Sequence, residues 1–253
     1  MASHDYYYNE HDENQVDKIL KTKRKKKLKR RFKVAFVLLI LILIGAFFMS
    51  DYSKVQSIEV IGNEEVKTDD ILNGVSVNKD SIFLLVDISK IEEEVKQVNL
   101  IKKANVSRDF FGNIRIEVEE ADKVAYSIIN KITYVIDEMG NVTETEDKNI
   151  IQSLQSCPRI TQFKDLKLLK EFAKQYVKIP ELIKNQTSDI LYDPKKADET
   201  RLKFMMDNGK ILYLRIEDMA EQLKSLDYEA NIAHDDMCIF KFEGNNIYKE
   251  ACQ

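Results

Sequence analysis

His234-Asp235-Asp236-Met237-Cys238 is the one stretch of this sequence where an imidazole and a thiol stand close enough to share a proton or a metal ion. A thiolate beside an imidazole can serve as a nucleophile, and the same two groups can supply two ligands of a zinc site. Neither use is completed elsewhere in the chain. A strand brings residues four apart to one face only by running through Asp235 and Asp236, and no second ligand pair occurs. A polar turn ahead of a strand accounts for these residues. A hydrolase needs a nucleophile beside a base, or paired carboxylates in a pocket, and no such arrangement is visible. The seven glycines are scattered and none is followed by Lys-Ser or Lys-Thr, so no phosphate-cradling loop is expected. Glu92-Glu93-Glu94 reads as the solvated side of a helix. No catalytic, cofactor-binding or metal-binding residue is therefore assigned, and no cofactor is expected. The chain reads as a non-enzymatic protein that offers other chains the unpaired backbone of sheet edges.

What holds those edges in place begins with an anchor. Val34 to Met49 carries no charge, and Phe32 with a snorkelling Lys33 lengthens it toward the roughly 17 residues that span a bilayer. Eleven Lys/Arg and five Asp/Glu precede it, and ten of those basic residues fall between Lys21 and Lys33. Such a bias beside a span keeps that end in the cytoplasm, which makes lipid contact a by-product and nucleic acid an unneeded partner. The long tail, and the lack of a small-x-small site in GAFFMSD, argue for an uncleaved anchor. Residues 1–20 are polar and without sustained periodicity, so no structure is assigned to them. Cys157, Cys238 and Cys252 all follow the span, an odd number too sparse for a disulfide framework, so disulfides are not expected to hold the fold together.

Beyond the anchor, Val55 to Ile61 alternates as a strand and ends at Gly62-Asn63. Thr68-Asp69-Asp70 opens a short helix stopped by Gly74, and Ile88, Ile91, Val95 and Val98 stand at helical spacing. Ala104 to Arg108 and Ile114 to Val118 form a hairpin turned by Phe111-Gly112-Asn113. This order is a small α+β unit with two helices on a three-stranded sheet. A second domain follows: a strand over Ile132 to Ile136, a helix on Leu166, Leu169, Phe172, Ala173 and Tyr176, and strands at Ile190 to Tyr192, Leu202 to Met206 and Ile211 to Arg215. Asp207-Asn208-Gly209 joins the last two as a hairpin. A helix through Met219 and Leu223, then a hairpin of Cys238 to Phe242 with Ile247 to Lys249, closes the chain.

With these residues in view, the sequence resembles the FtsQ/DivIB family of bacterial cell-division proteins from Lys21 onward. Val55 to Asn63 (VQSIEVIGN) is similar to the opening strand of the family's POTRA domain, and Ile82-Phe83 with Ile88 to Val98 to its second helix and approach. Ile101 to Asp109 and Ile114 to Ala125 resemble the next two strands and the exit segment, and Tyr134 to Gly140 the Asp-x-x-Gly turn that opens the β domain. Phe110-Phe111-Gly112 stands where the family usually has Pro, Glu119-Glu120-Ala121-Asp122 replaces the Glu-Arg-x-Pro exit, and Arg215 occupies a common Gly position. The implied division is a cytoplasmic basic tail over 1–31, a transmembrane helix over 32–50, a β-α-α-β-β POTRA domain over 53–122, and an extracytoplasmic β domain over 123–253 with a long, mostly antiparallel sheet.

The resemblance implies a divisome scaffold at the septum. Its implied partners are FtsL-like and FtsB/DivIC-like bitopic coiled-coil proteins, through which it regulates the septal peptidoglycan synthase complex indirectly. Residue reading and resemblance both point to Cys238 to Phe242 as a partner-binding edge, with Ile239, Phe240, Lys241 and Phe242 supplying contacts. The competing expectation is a membrane-anchored envelope enzyme or ligand-binding receptor, which calls for a concave site with convergent polar groups.

Overall fold

The computed structural model describes residues 10–224, 226–244 and 246–252, with side chains from Lys29 onward. Helix α1 runs from Glu10 to Met49. Residues 1–9 of the segment expected to lack structure lie outside the described residues; from Glu10 the backbone is helical. The reason is compositional: no Gly or Pro interrupts the chain between Glu10 and Gly45, and its Lys, Arg, Glu, Gln and Leu are strong helix formers. A helix already nucleated in the apolar run propagates through them at little cost. Lys29–Met49 is long and apolar enough to cross a membrane, and none of it is buried against the rest of the chain. At 1.5 Å per residue it covers about 30 Å, the thickness of the hydrocarbon core.

The chain divides into two compact units. The first comprises residues up to Ile58, with Asn78–Val86 and Arg108–Ile114. A 3-10 turn at Asp51–Ser53 follows the anchor, and the buried Ser53 hydroxyl donates to the carbonyls of Ser50 (2.8 Å) and Phe48 (3.2 Å). The chain is then clasped from two sides. Val55 N donates to Ser81 O at 2.9 Å, and Gln56 N donates to Gly112 O at 2.9 Å.

The second unit holds Glu59–Val77, Asp87–Ser107 and everything from Arg115. Strands β1 (Ser57–Ile61), β2 (Ile101–Arg108) and β3 (Asn113–Glu120) form a three-stranded sheet in the order β1-β3-β2. Helices α2 (Thr68–Asn73) and α3 (Ile88–Lys96) bury Ile71, Ile91 and Val95, and alternation along β3 buries Ile116 and Val118. Asp87 caps α3 by accepting from Lys90 N at 3.2 Å.

A second sheet has nine strands in the order β12-β11-β10-β9-β8-β7-β4-β5-β6. These are β4 (Lys123–Ile129), β5 (Ile132–Asp137), β6 (Val142–Thr145), β7 (Arg159–Thr161), β8 (Thr187–Tyr192), β9 (Arg201–Met206), β10 (Ile211–Arg215), β11 (Ile239–Glu243) and β12 (Asn246–Glu250). Most neighbours are antiparallel, while β4-β7, β7-β8 and β10-β11 are parallel. The fold is α+β, with helices α5 (Leu166–Tyr176) and α7 (Met219–Lys224) contributing to a core shared with Phe204, Leu212, Leu214 and Phe240. Short helices α4 (Lys148–Ser153) and α6 (Glu181–Asn185) complete the connections. β4, β6, β7, α4 and α6 have no counterpart among the elements expected from the sequence. In β4 the inward face of Ala125, Ser127 and Ile129 carries a polar residue, and the buried Ser127 hydroxyl donates to Ile160 O at 2.8 Å, a satisfaction visible only once β7 lies alongside.

Candidate interaction edge

The end of the nine-stranded sheet is set up by the residues ahead of β11. Asp235 accepts from Met237 N at 2.9 Å, turning the chain into the strand. Along β11 the pleat sends Phe240 and Phe242 into the core, whereas Ile239 and Lys241 face the opposite side and stay half-buried. Two of the four residues expected to meet a partner are thus core, and of the four Ile239 and Lys241 reach the outer face of that strand.

The expectation that Cys238 to Phe242 is the edge is corrected. β11 is flanked on both sides, by β10 in parallel (Ile211 opposite Ile239, Tyr213 opposite Lys241) and by β12 antiparallel (Ile239 opposite Glu250, Glu243 opposite Asn246). The return read as Ile247 to Lys249 is a full five-residue strand, and it is β12 that has a single neighbour among the described residues. Parallel pairing of β10 with β11 requires a crossover, supplied by α7 and the π-helical turn Glu229–Ala233.

β12 is held firmly. A disulfide joins Cys238 and Cys252 with a Cα–Cα distance of 4.8 Å, inside the range such a bond requires. The cysteine count hid this pair because proximity arises from the hairpin register, which brings the residue before β11 to the second residue after β12. Lys241 forms an ion pair with Glu250, and Lys249 Nζ lies 2.6 Å from Asp235 Oδ2. Hydrogen bonding to Lys249 holds the Asp235 carboxyl below the usual carboxylate range. Lys210 Nζ donates to the carbonyls of Asp235 and Met237, and the Lys210 and Lys249 ammonium groups lie 5.9 and 5.8 Å from the Phe240 ring centroid. Tyr248 remains exposed opposite Lys241.

These contacts also dispose of the imidazole-thiol pair. Cys238 is in the disulfide, and the exposed His234 ring sits 3.3 Å from Glu229. Among the described residues no group of three His, Cys, Asp or Glu side chains is arranged to hold a metal. A cleft of about 750 Å³ is lined by Glu65, Lys67, Asp70, Glu94 and Asp147 among others, without His, Cys, Ser or Tyr. Four of its charged groups are engaged: Lys67 with Asp147 at 2.6 Å, Glu65 with Lys123 at 2.6 Å, and Glu94 with Ser76 N at 2.7 Å. The other end of the sheet, β6, lends Thr143, Glu144 and Thr145 to the wall of this cleft.

Comparison with known proteins matches the POTRA domain, FtsQ-type, to residues 53–121. Residues 125–241 match the C-terminal part of the cell division protein FtsQ/DivIB, so β12 and Cys252 lie beyond the matched residues. Cell division protein DivIB of Bacillus subtilis is 31% identical over 84% of this chain and 80% of its own length. DivIB of Pediococcus pentosaceus is 30% identical over 82% of this chain and 56% of its own length, and that of Listeria monocytogenes 26% identical over 84% and 78%. The two family matches follow the order of the three-stranded and nine-stranded sheets, and the chain belongs to the FtsQ/DivIB family of cell division proteins.

Proposed function

We propose that the protein is a non-enzymatic scaffold of the division machinery. Its amino terminus is cytoplasmic, its two sheets are held outside the membrane, and it acts at the septum. It binds FtsL-like and FtsB/DivIC-like bitopic coiled-coil proteins and, through them, regulates septal peptidoglycan synthesis. The observation that carries this reading is β12, a strand with one neighbour, clamped at its far end by Cys238–Cys252 and by the Lys241–Glu250 pair. A strand fixed in this way presents preorganised donors and acceptors, so a partner strand pairs without ordering the edge first. Phe240 and Phe242 act from beneath by seating β11 in the core, and Ile239 and Lys241 with Tyr248 supply the side-chain surface beside the new strand.

Photocrosslinking in dividing cells tests this. A photoreactive residue at Ile247 or Tyr248 is expected to capture small single-span division proteins, and one at Thr143 or Thr145 on β6 is not. Capture absent from β12, or equal at both edges, sinks the assignment. Tyr248→Pro and Lys249→Pro refine it, because neighbouring N–H groups alternate between β11 and the open side. One variant should retain the hairpin and lose the crosslink.

A further inference from the structure

Outside the anchor, the four most exposed large apolar or aromatic side chains among the described residues are Phe110 (95%), Tyr52 (82%), Phe111 (79%) and Leu85 (71%). All four belong to the unit that contains the anchor helix. Phenylalanines at a turn have no local reason to be there, since the turn itself needs only Asp109 and Gly112. Asp109 accepts from Phe111 N (2.8 Å) and Asn113 N (2.9 Å), and Gly112 takes φ +87° with its α-carbon so close to Lys54 that a Cβ would meet the carbonyl oxygen at 2.9 Å.

The contacts that hold this tip lead back to the membrane helix. Gly112 O accepts from Gln56 N at 2.9 Å, and the Gln56 side-chain amide donates to Asp51 O at 2.9 Å, two residues past Met49. Arg108, at the root of the same hairpin, donates to the carbonyls of Phe83 (2.8 Å) and Val86 (2.9 Å). Phe83 is thereby kept buried while Leu85 is turned outward. The two loops and the residues after the span are one braced assembly, and its exposed side chains are the types that settle at a bilayer interface. The neighbouring acids are spent locally: Lys54 lies 2.9 Å from Asp51 and 3.9 Å from Asp80, and Asp109 is bonded within its turn. Past the span this unit carries Lys54, Lys79 and Arg108 against Asp51, Asp80 and Asp109, so it has no net charge to select an anionic lipid.

We propose that Tyr52, Leu85, Phe110 and Phe111 form a second membrane contact, a shallow foot that rests on the zwitterionic bilayer surface from which α1 emerges. The proposal rests on Lys29–Met49 being a span. It gives the first extracytoplasmic unit a fixed height at the membrane instead of a free tether.

The chain contains no tryptophan, so single-tryptophan variants report without background. The full-length protein carrying F111W, F110W, F47W or Y248W is reconstituted in phosphatidylcholine vesicles, with and without lipid brominated near the headgroup or at mid-chain. Headgroup-proximal bromine is expected to quench F111W and F110W at least about twofold more than Y248W, as for a side chain seated at the interface. Mid-chain bromine is expected to quench F47W, within the span. If F111W and F110W are quenched no more than Y248W while F47W is quenched, the foot is wrong and the anchor stands. If F47W is not quenched either, both fall. A blue-shifted F111W emission without bromine quenching shows burial against protein and likewise overturns the membrane assignment.

Discussion

Lys67 Nζ lies 2.6 Å from the Asp147 carboxylate, tying the residue before α2 to the residue that caps α4. Asp147 also accepts from Asn149 N at 2.9 Å. The Lys67 hydrogen bond is the main reason its carboxyl titrates below the ordinary Asp value of 3.8, and Lys67 is raised in turn. A carboxyl depressed in the folded state adds stability above its unfolded pKa and loses it as pH falls through the folded one. D147N keeps an acceptor for Asn149 N and removes the charge. The wild-type protein is expected to melt above D147N near neutral pH, and the gap should close as pH falls below 3.8. A gap that is the same at all pH values would show that the ion pair contributes nothing.

Tyr176 is fully buried, stacked on Phe172 with ring centroids 5.1 Å apart, and its hydroxyl has no hydrogen-bond partner among the described residues. Burial drives its pKa far above that of an ordinary tyrosine. Because an unsatisfied buried hydroxyl costs on the order of 1 kcal/mol or more, Y176F should raise stability by about 1 kcal/mol. Chemical denaturation measures this, and a loss of stability would mean that the hydroxyl is satisfied in solution.

Phe240 and Tyr248 face opposite fates on adjacent strands, one fully buried and one exposed. F240A should cost about 3–5 kcal/mol by opening a cavity in the core. Y248A should stay within about 0.5 kcal/mol of wild type, while weakening partner capture at β12. If Y248A destabilises as much as F240A, β12 belongs to the core and is not a free edge.

The Cys238–Cys252 bond closes a separation of 14 residues. Chain-entropy arguments give such a closure about 3 kcal/mol. In C252S the amides of Asn246–Glu250 should exchange with solvent faster while those of β9 and β10 change little. Uniform acceleration across the sheet would mean that the bond supports the whole domain and not its edge.

Neutralising the Lys and Arg residues from Lys21 to Arg31 should scramble insertion, because basic residues within about 15–20 residues of a span set its direction. External protease applied to intact cells reads the outcome. Digestion still confined to the carboxy-terminal domain in the neutralised variant would sink the prediction.

Local pattern carried the anchor, the helix on Ile88, Ile91 and Val95, and the hairpin turned by Asp207-Asn208-Gly209, because each is specified by neighbours in sequence: an apolar run, a 3.6-residue repeat, a turn dipeptide. The POTRA and β-domain resemblance was legible for the same reason, being a succession of such signals. Three-residue β7 was not, since a strand that short has no period, and its place between β4 and β8 comes from pairing with residues far along the chain.

The candidate site divides along the same line. Sequence alone placed a terminal hairpin over Cys238 to Lys249 and the apolar alternation of Phe240 and Phe242, which needs only the two-residue pleat. Tertiary structure decided which strand of that hairpin is the edge, because this depends on a crossover through α7 that lays β10 parallel to β11. It also decided that Cys238 meets Cys252: a thiol pair is defined by register across two strands, and register is a property of the folded sheet that no count of cysteines contains.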